Sequence, residues 1–158
     1  MPTSLLVASL LAAAPAAPAA IDPLAYFEGA WNCAGQFEPS KKPLASTLVF
    51  RRDPDTGALL KQHADVAPAT YKAAETWSFA KPAGGYRAAI ADGFSGLRWY
   101  ASPGWEGDRW TWTRSGAGEP GEQFVYVRAG PTTMTVEWRL SRAGAPLTLG
   151  DTLDCRKR

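Results

Sequence analysis

The sequence predicts an all-β protein in which about ten strands form an up-and-down antiparallel β-barrel after a short N-terminal helix. From residue 30 onward the chain divides into runs rich in Val, Thr, Trp, Tyr and Phe, without helical periodicity. The connections between these runs are short and carry turn residues, which is typical of successive antiparallel hairpins. The two cysteines fall in the first and last runs, as expected if these two strands meet.

The N-terminal segment 1–19 is predicted to be a signal peptide. Residues 5–14 form an apolar stretch that is too short to span a bilayer as a helix. Residues 17–19, Ala-Pro-Ala, fit the small-x-small cleavage pattern. The segment has no Lys or Arg, so a low-complexity Ala/Pro tail on a cytosolic protein is the alternative. We expect one barrel domain over 20–158 and a periplasmic or secreted location.

The predicted domain begins with a short helix and continues only with strands. Asp22 and Pro23 form a helix start signal and Gly29 is a natural stop, which predicts one or two turns over 24–28. Turn sequences such as 53–57 separate the strands that follow. The predicted strands lie at about 30–38, 45–52, 58–66, 70–80, 85–91, 96–101, 108–114, 122–129, 132–141 and 146–155.

Alternation along these strands gives each an apolar and a polar face. In the fourth strand, Trp77 shares a face with Glu75, and in the strand at 132–141 the apolar residues share one side. A meander with one apolar face avoids long exposed strand edges when it closes into a barrel. Closure would bring Cys33 and Cys155 together as a disulfide. Two stacked sheets bridged by the same disulfide are the alternative.

The start of the first strand resembles a known signature. Gly29-Ala30-Trp31, directly after the predicted helix, resembles the Gly-x-Trp motif of lipocalins and related calycins. The stretch 27–35 is similar to the opening of bacterial lipocalin-like proteins of unknown function and of ten-stranded, nitrobindin-type barrels. The resemblance implies a barrel that holds a small hydrophobic molecule. Nitrobindins ligate haem through a histidine late in the chain, and here no histidine follows His63, so we expect no haem and no other cofactor.

The charges exclude some classes of partner. The 17 Lys and Arg and 15 Asp and Glu residues are scattered in sign, with a net charge of +2. This distribution predicts no nucleic-acid binding surface, and we expect no stable membrane insertion. The predicted partner is a small hydrophobic or amphipathic molecule, and the sequence does not indicate an oligomeric state.

Catalytic and metal-binding constellations do not stand out in the sequence. His63, the single histidine, alternates onto one face with Lys61 and Asp65, and we interpret this face as solvent-exposed. The segment 93–97 resembles a nucleophile elbow, but Leu97 stands two positions after the serine, where that motif requires its second glycine. We therefore expect no catalytic residues, no metal site and a protein that is not an enzyme.

Aromatic residues mark the candidate ligand site. Two successive strands, at 110–114 and 124–128, each carry aromatic residues and one arginine on the same face. An inward arginine needs a partner, so we expect Glu75 to neutralise Arg114 or Arg128 and an anionic ligand headgroup to bind the other. A shift of register by one residue, which turns both arginines to water, is the alternative. The predicted ligand-binding residues are Trp77, Glu75, Trp110, Trp112, Arg114, Tyr126 and Arg128.

Three functions are compatible with this pattern. The first is an exported lipocalin-like barrel that binds a small hydrophobic or amphipathic ligand without transforming it. The second is a secreted protein-binding or inhibitor module that acts through loops such as 102–108, with Trp105 exposed at the tip. The third is an enzyme of unrecognised type. An internal cavity favours the first, and a filled barrel with an exposed Trp105 favours the second.

Overall fold

The computed structural model describes residues 22–116, 121–142 and 144–158, so the predicted signal peptide, 1–19, lies outside the described residues. Two short 3₁₀ helices lie at Ala25–Phe27 and Lys81–Ala83. The strands are β1 Gly29–Phe37, β2 Pro43–Arg52, β3 Leu59–Asp65, β4 Lys72–Ala80, β5 Gly85–Asp92, β6 Gly96–Ser102, β7 Trp105–Glu106, β8 Arg109–Ser115, β9 Glu122–Gly130, β10 Thr133–Leu140 and β11 Thr148–Lys157.

The strands form one closed antiparallel barrel. Their order around the sheet is β6-β5-β4-β3-β2-β1-β11-β10-β9-β8, and an additional pairing of β6 with β8 closes it. The two-residue strand β7 pairs with β8 and lies outside this ring of ten. The predicted all-β, up-and-down barrel is therefore confirmed, and the alternative of two stacked sheets is wrong.

The barrel is joined at two seams of different length. In the long seam, β1 pairs with β11 over residues 31–37, and Cys33 faces Cys155 with their Cα atoms 4.0 Å apart. These two residues form the predicted disulfide, which is confirmed. In the short seam, residues 99–101 of β6 pair with 113–115 of β8. The barrel is thus closed at two places. A hydrogen-bonded ladder and a disulfide join β1 to β11, whereas a short ladder joins β6 to β8.

The disulfide is expected to contribute substantially to stability, because it links positions 122 residues apart. Replacing Cys33 and Cys155 together with alanine should lower the free energy of unfolding by about 2–4 kcal/mol, mainly by releasing the unfolded chain. Urea denaturation followed by far-UV circular dichroism measures this loss, and the native spectrum should keep its strand content. Reduction of the unmutated protein should give a similar shift. A change in unfolding free energy below about 1 kcal/mol would contradict the expectation.

The N-terminal helix is shorter than predicted, a single 3₁₀ turn at Ala25–Phe27. Asp22 still marks its start, because the backbone N–H of Leu24 donates to Asp22 Oδ1 at 2.9 Å. Gly29 begins β1 with a φ of 111°, a conformation that favours glycine. No helix within 22–116, 121–142 and 144–158 is long and apolar enough to cross a membrane.

Aromatic side chains fill one end of the barrel. Phe27, from the 3₁₀ turn, is fully buried there, with its ring centroid 5.2 Å from that of Trp77 and 5.6 Å from that of Trp110. The indole N–H of Trp31 donates to the carbonyl of Phe27 at 2.8 Å, which fixes the turn against the sheet. Other fully buried residues in this core are Leu48, Phe50, Leu59, Trp112, Tyr126 and Met134.

Candidate functional site

The other half of the barrel encloses a cavity of about 690 Å³. Its lining includes the exposed residues Pro68, Phe94 and Gly121, so its mouth lies at the β3–β4 and β5–β6 connections and beside the start of β9. A volume of this size is typical of small-molecule sites. Apolar side chains supply much of the wall, among them Phe37, Leu44, Leu48, Phe124, Val136, Leu140 and Leu153.

A buried ion pair separates the cavity from the aromatic core. Lys61 in β3 lies directly opposite Glu75 in β4, with Nζ 2.6 Å from Oε1, and both side chains are 3% exposed. Lys61 also donates to the hydroxyl of Tyr126 at 2.9 Å, and the indole N–H of Trp77 donates to Glu75 Oε2 at 2.8 Å. A buried pair of charges is tolerated when further hydrogen bonds satisfy both groups, as they do here.

A second charged group lies on the wall formed by β5, β6 and β9. Arg98 Nη1 donates to both carboxylate oxygens of Glu122, at 2.7 and 2.9 Å, and Nη2 pairs with Asp92. Glu122 also accepts hydrogen bonds from the Tyr100 hydroxyl at 2.6 Å and the Trp138 indole at 2.9 Å. Burial, followed by the hydrogen bond to Glu122, raises the pKa of Tyr100. The carboxylate of Glu122 is therefore held by three donor side chains from two other strands, β6 and β10.

A third polar group faces the cavity from β2 and β3. The hydroxyl of Ser46 donates to Asp65 Oδ1 at 2.6 Å, and His63 Nε2 lies 3.1 Å from the same oxygen. The ring of Tyr71 meets the His63 ring edge to face at 5.1 Å between centroids. Burial lowers the pKa of His63 below its usual value, while the bond to Asp65 acts in the opposite direction. His63 is therefore predominantly neutral at neutral pH.

Asp151, on β11, also lines the cavity. Burial raises the pKa of this carboxyl to about 7, and the negative charge of Asp65 adds to the increase, while a backbone hydrogen bond from Trp138 opposes it. Within the described part of the chain, Asp151 forms no ion pair. The charge of Asp65 thus acts on Asp151, although the two carboxyl groups belong to different strands, β3 and β11.

The predicted ligand-binding residues occupy different parts of the barrel. Arg114 and Tyr126 line the cavity. Arg114 Nη1 lies 3.5 Å from Glu122, so this arginine already faces a carboxylate. Trp77, Trp110 and Trp112 are buried in the packed half, outside the lining of the cavity.

The expected partner of Glu75 was an arginine, and this expectation is wrong. Glu75 binds Lys61 instead, at 2.6 Å. The interpretation that Lys61, His63 and Asp65 form a solvent-exposed face is also wrong, because all three line the cavity. Charged residues can alternate onto an interior face when partners on neighbouring strands satisfy them, as Glu75 and Ser46 do here.

Arg128 lies at the packed end of the barrel, on its surface. Its guanidinium stacks over the ring of Trp105 at 4.4 Å from the centroid and donates to the carbonyl of Gly107 at 3.1 Å. Trp105 is half-buried, since its indole N–H donates to Pro23 at 2.8 Å and its ring stacks on Phe27. The expectation of Trp105 exposed at a loop tip is therefore wrong.

The sequence interpretation missed several cavity residues, notably Arg98, Glu122 and Asp151. A signal for two of them was present. Arg98 alternates with the aromatic Tyr100 in β6, and Glu122 alternates with Phe124 in β9, so each charge shares a face with a buried or half-buried ring. Asp151 carried no such signal in the sequence.

Metal ligands and family relationships give no further indication of a site. Among residues 22–116, 121–142 and 144–158, no group of three or more His, Cys, Asp or Glu side chains is placed to hold a metal ion. No protein-family model matches the chain, and no curated protein matches its sequence. The charges and walls of the cavity are therefore the basis for a functional proposal.

Proposed function

We propose that the protein is an exported, lipocalin-like barrel that binds a small amphipathic molecule in its cavity without transforming it. The observation that carries this proposal is the half-hollow interior, a cavity of about 690 Å³ bounded by the packed aromatic core at one end. Sites for small molecules typically combine such a volume with apolar walls and a few oriented polar groups. The disulfide between Cys33 and Cys155 supports export, because such bonds persist in oxidising compartments.

The arrangement of the walls favours a ligand with an apolar body and a polar headgroup. Leu48, Val136 and Leu153 offer apolar surface, and contact with it stabilises a ligand by roughly 25 cal/mol for each Å² removed from water. The polar groups are already held by other protein groups, as Lys61 is by Glu75. A site that is ordered before binding loses less side-chain entropy when the ligand enters.

Catalysis on the same ligand is a second candidate, favoured by one observation. Three residues capable of acid–base chemistry, His63, Asp65 and Asp151, face the same cavity. The raised pKa of Asp151, about 7, places its proton transfer close to neutral pH. If a bound ligand is recovered chemically altered after incubation, this second candidate replaces simple binding.

Binding of a neutral amphiphile tests the proposed function. Decanol should bind saturably, in a one-to-one complex, and change the tryptophan fluorescence, because Trp138 lines the cavity. Val136→Phe, which narrows the cavity, should weaken decanol binding about tenfold, a loss of about 1.4 kcal/mol. The matched control Thr135→Phe places the same ring on the outer face of β10 and should leave the affinity unchanged. Equal affinity of both variants and the unmutated protein would reject the cavity as the site.

A further inference from the structure

The cationic side chains that face the cavity interior are already bound to carboxylates. Lys61 and Arg98 are deeply buried, and Arg114 is largely buried. A fourth cation, Lys42, lies at the exposed rim. An anionic headgroup that binds in the cavity interior would therefore have to displace a carboxylate from one of the three interior cations. The pairs are Lys61 with Glu75, Arg98 with Asp92 and Glu122, and Arg114 with Glu122.

Two further carboxylates face the cavity without a Lys or Arg partner in the described part of the chain. Asp65 binds the hydroxyl of Ser46 and the imidazole of His63, and both of these are neutral groups at neutral pH. Asp151 forms no ion pair there. The two aspartates affect each other electrostatically, since the charge of Asp65 helps to raise the pKa of Asp151. The cavity interior therefore carries an excess of negative charge on this wall.

The surroundings of these aspartates are apolar and aromatic, which is a separate feature. Leu44 and Leu153 belong to the same cavity lining. At the mouth, Phe94 is 68% exposed and stacks on Tyr71 at 6.1 Å between ring centroids. A large exposed ring at the mouth of a cavity is typical of a surface that a ligand covers. Aromatic faces also attract cations, so the path from the mouth to the aspartates suits a positively charged amphiphile.

We propose that the cavity selects amphiphiles with a cationic headgroup, such as a primary ammonium, and that this headgroup binds beside Asp65 and Asp151. An ammonium carries three donors and forms charge-assisted hydrogen bonds with carboxylates, and its chain would follow the apolar wall. Burying a carboxylate without a counter-charge is unfavourable, and the ligand removes this penalty. The inference rests on the proposed function, because it names the ligand class of the same cavity.

This inference replaces the anionic headgroup that the sequence predicted. Arg128 lies on the outer surface at the packed end, and Arg114 already faces Glu122. A carboxylate ligand would add one more negative charge to a wall that already carries Asp65 and Asp151. We therefore expect the preferred headgroup to carry a positive charge.

Three probes with the same alkyl chain, decylamine, decanol and decanoate, distinguish the contribution of the headgroup to binding from that of the chain. Each is titrated into the protein at about pH 8, and binding is followed by tryptophan fluorescence. We expect decylamine to bind about tenfold more tightly than decanol, and decanoate to bind more weakly than decanol. Asp151→Asn and Asp65→Asn should each remove most of the preference for the amine, measured as the ratio of the dissociation constants of decanol and decylamine. Asp154→Asn, on the exposed face of β11, is the matched control and should keep the preference.

A pH series on the unmutated protein repeats the test without a substitution. Between about pH 8 and 5, decylamine keeps its charge while Asp151 takes up a proton, so decylamine should bind more weakly at the lower pH and decanol should not. If decanol binds and decylamine binds no more tightly, or if Asp151→Asn and Asp65→Asn both keep the amine preference, the inference is wrong and the proposed function stands. If none of the three probes binds, both are wrong.

Discussion

Replacing Glu75 with glutamine is expected to lower the free energy of unfolding by about 3–5 kcal/mol, one of the two largest effects that we expect from a single substitution. The substitution leaves the ammonium of Lys61, only 3% exposed, in the barrel interior without a counter-ion. Lys61→Met should have an effect of similar size, because it leaves the Glu75 carboxylate uncompensated. Removing one member of a buried pair is more harmful than removing both, since a lone buried charge cannot recover its hydration.

The double variant Lys61→Met/Glu75→Gln should therefore be more stable than either single variant. Glutamine can still accept the hydrogen bond that the Trp77 indole donates to Glu75. Urea denaturation of the four proteins gives the coupling energy of the pair. Lys72→Met, at an exposed position of β4, is the control and should change stability by less than about 0.5 kcal/mol. Additive losses in the double variant would show that the pair does not act as a unit.

Asp151→Asn is expected to stabilise the protein at about pH 8, by on the order of 4 kcal/mol, and to change stability little near pH 4. The folded protein raises the pKa of this carboxyl from 3.8 to about 7, and each pKa unit corresponds to about 1.4 kcal/mol. Because the folded state holds the proton more tightly than the unfolded state, the contribution of Asp151 becomes less favourable as pH rises through this window. Asparagine has no charge to bury, so the variant escapes this loss.

The measurement is the difference in unfolding free energy between the variant and the unmutated protein across the same pH range. Other groups also titrate there, and the titratable groups whose charges interact with Asp151 include Asp65 from β3 and Tyr126 from β9. The pKa of His63 is lowered, so the folded state favours the neutral imidazole and this residue stabilises the protein less as pH falls. Its contribution is therefore opposite in sign to that of Asp151. Because His63 is present in both proteins, its contribution cancels in the difference. Asp154→Asn should show no such pH-dependent gain. A difference that stays constant with pH would contradict the buried position of Asp151.

Most of the barrel was predictable because its signals are local. Strand β5, for example, runs over Gly85–Asp92 and was predicted at 85–91, since alternation and the turns on either side of it define it without knowledge of distant residues. The meander then gives the neighbours of each strand. The two-residue strand β7 was not predicted, because so short a strand carries no periodic pattern. The disulfide followed from topology, since closure brings Cys33 opposite Cys155.

The cavity was less predictable, for two physical reasons. Alternation shows which residues share a face but not which face is inside, and in β3 the polar face with Lys61 is the interior one because Glu75 lies opposite it. Alternation also gives no depth along the barrel axis. Trp110, Trp112 and Arg114 share a face of β8, yet only the arginine reaches the cavity, while both indoles belong to the packed end.

Because the two seams differ in length, we expect local opening of the barrel at the shorter one. The disulfide and the pairing along 31–37 hold β1 against β11, whereas the described ladder between β6 and β8 spans only residues 99–101 of β6. Local opening begins where few hydrogen bonds resist it, so transient separation is directed to the short seam. Arg98 lies next to this seam and Arg114 lies within it, and both residues line the cavity. If the protein binds a ligand as proposed, opening of this seam would give that ligand a second route into the cavity, beside the mouth described above.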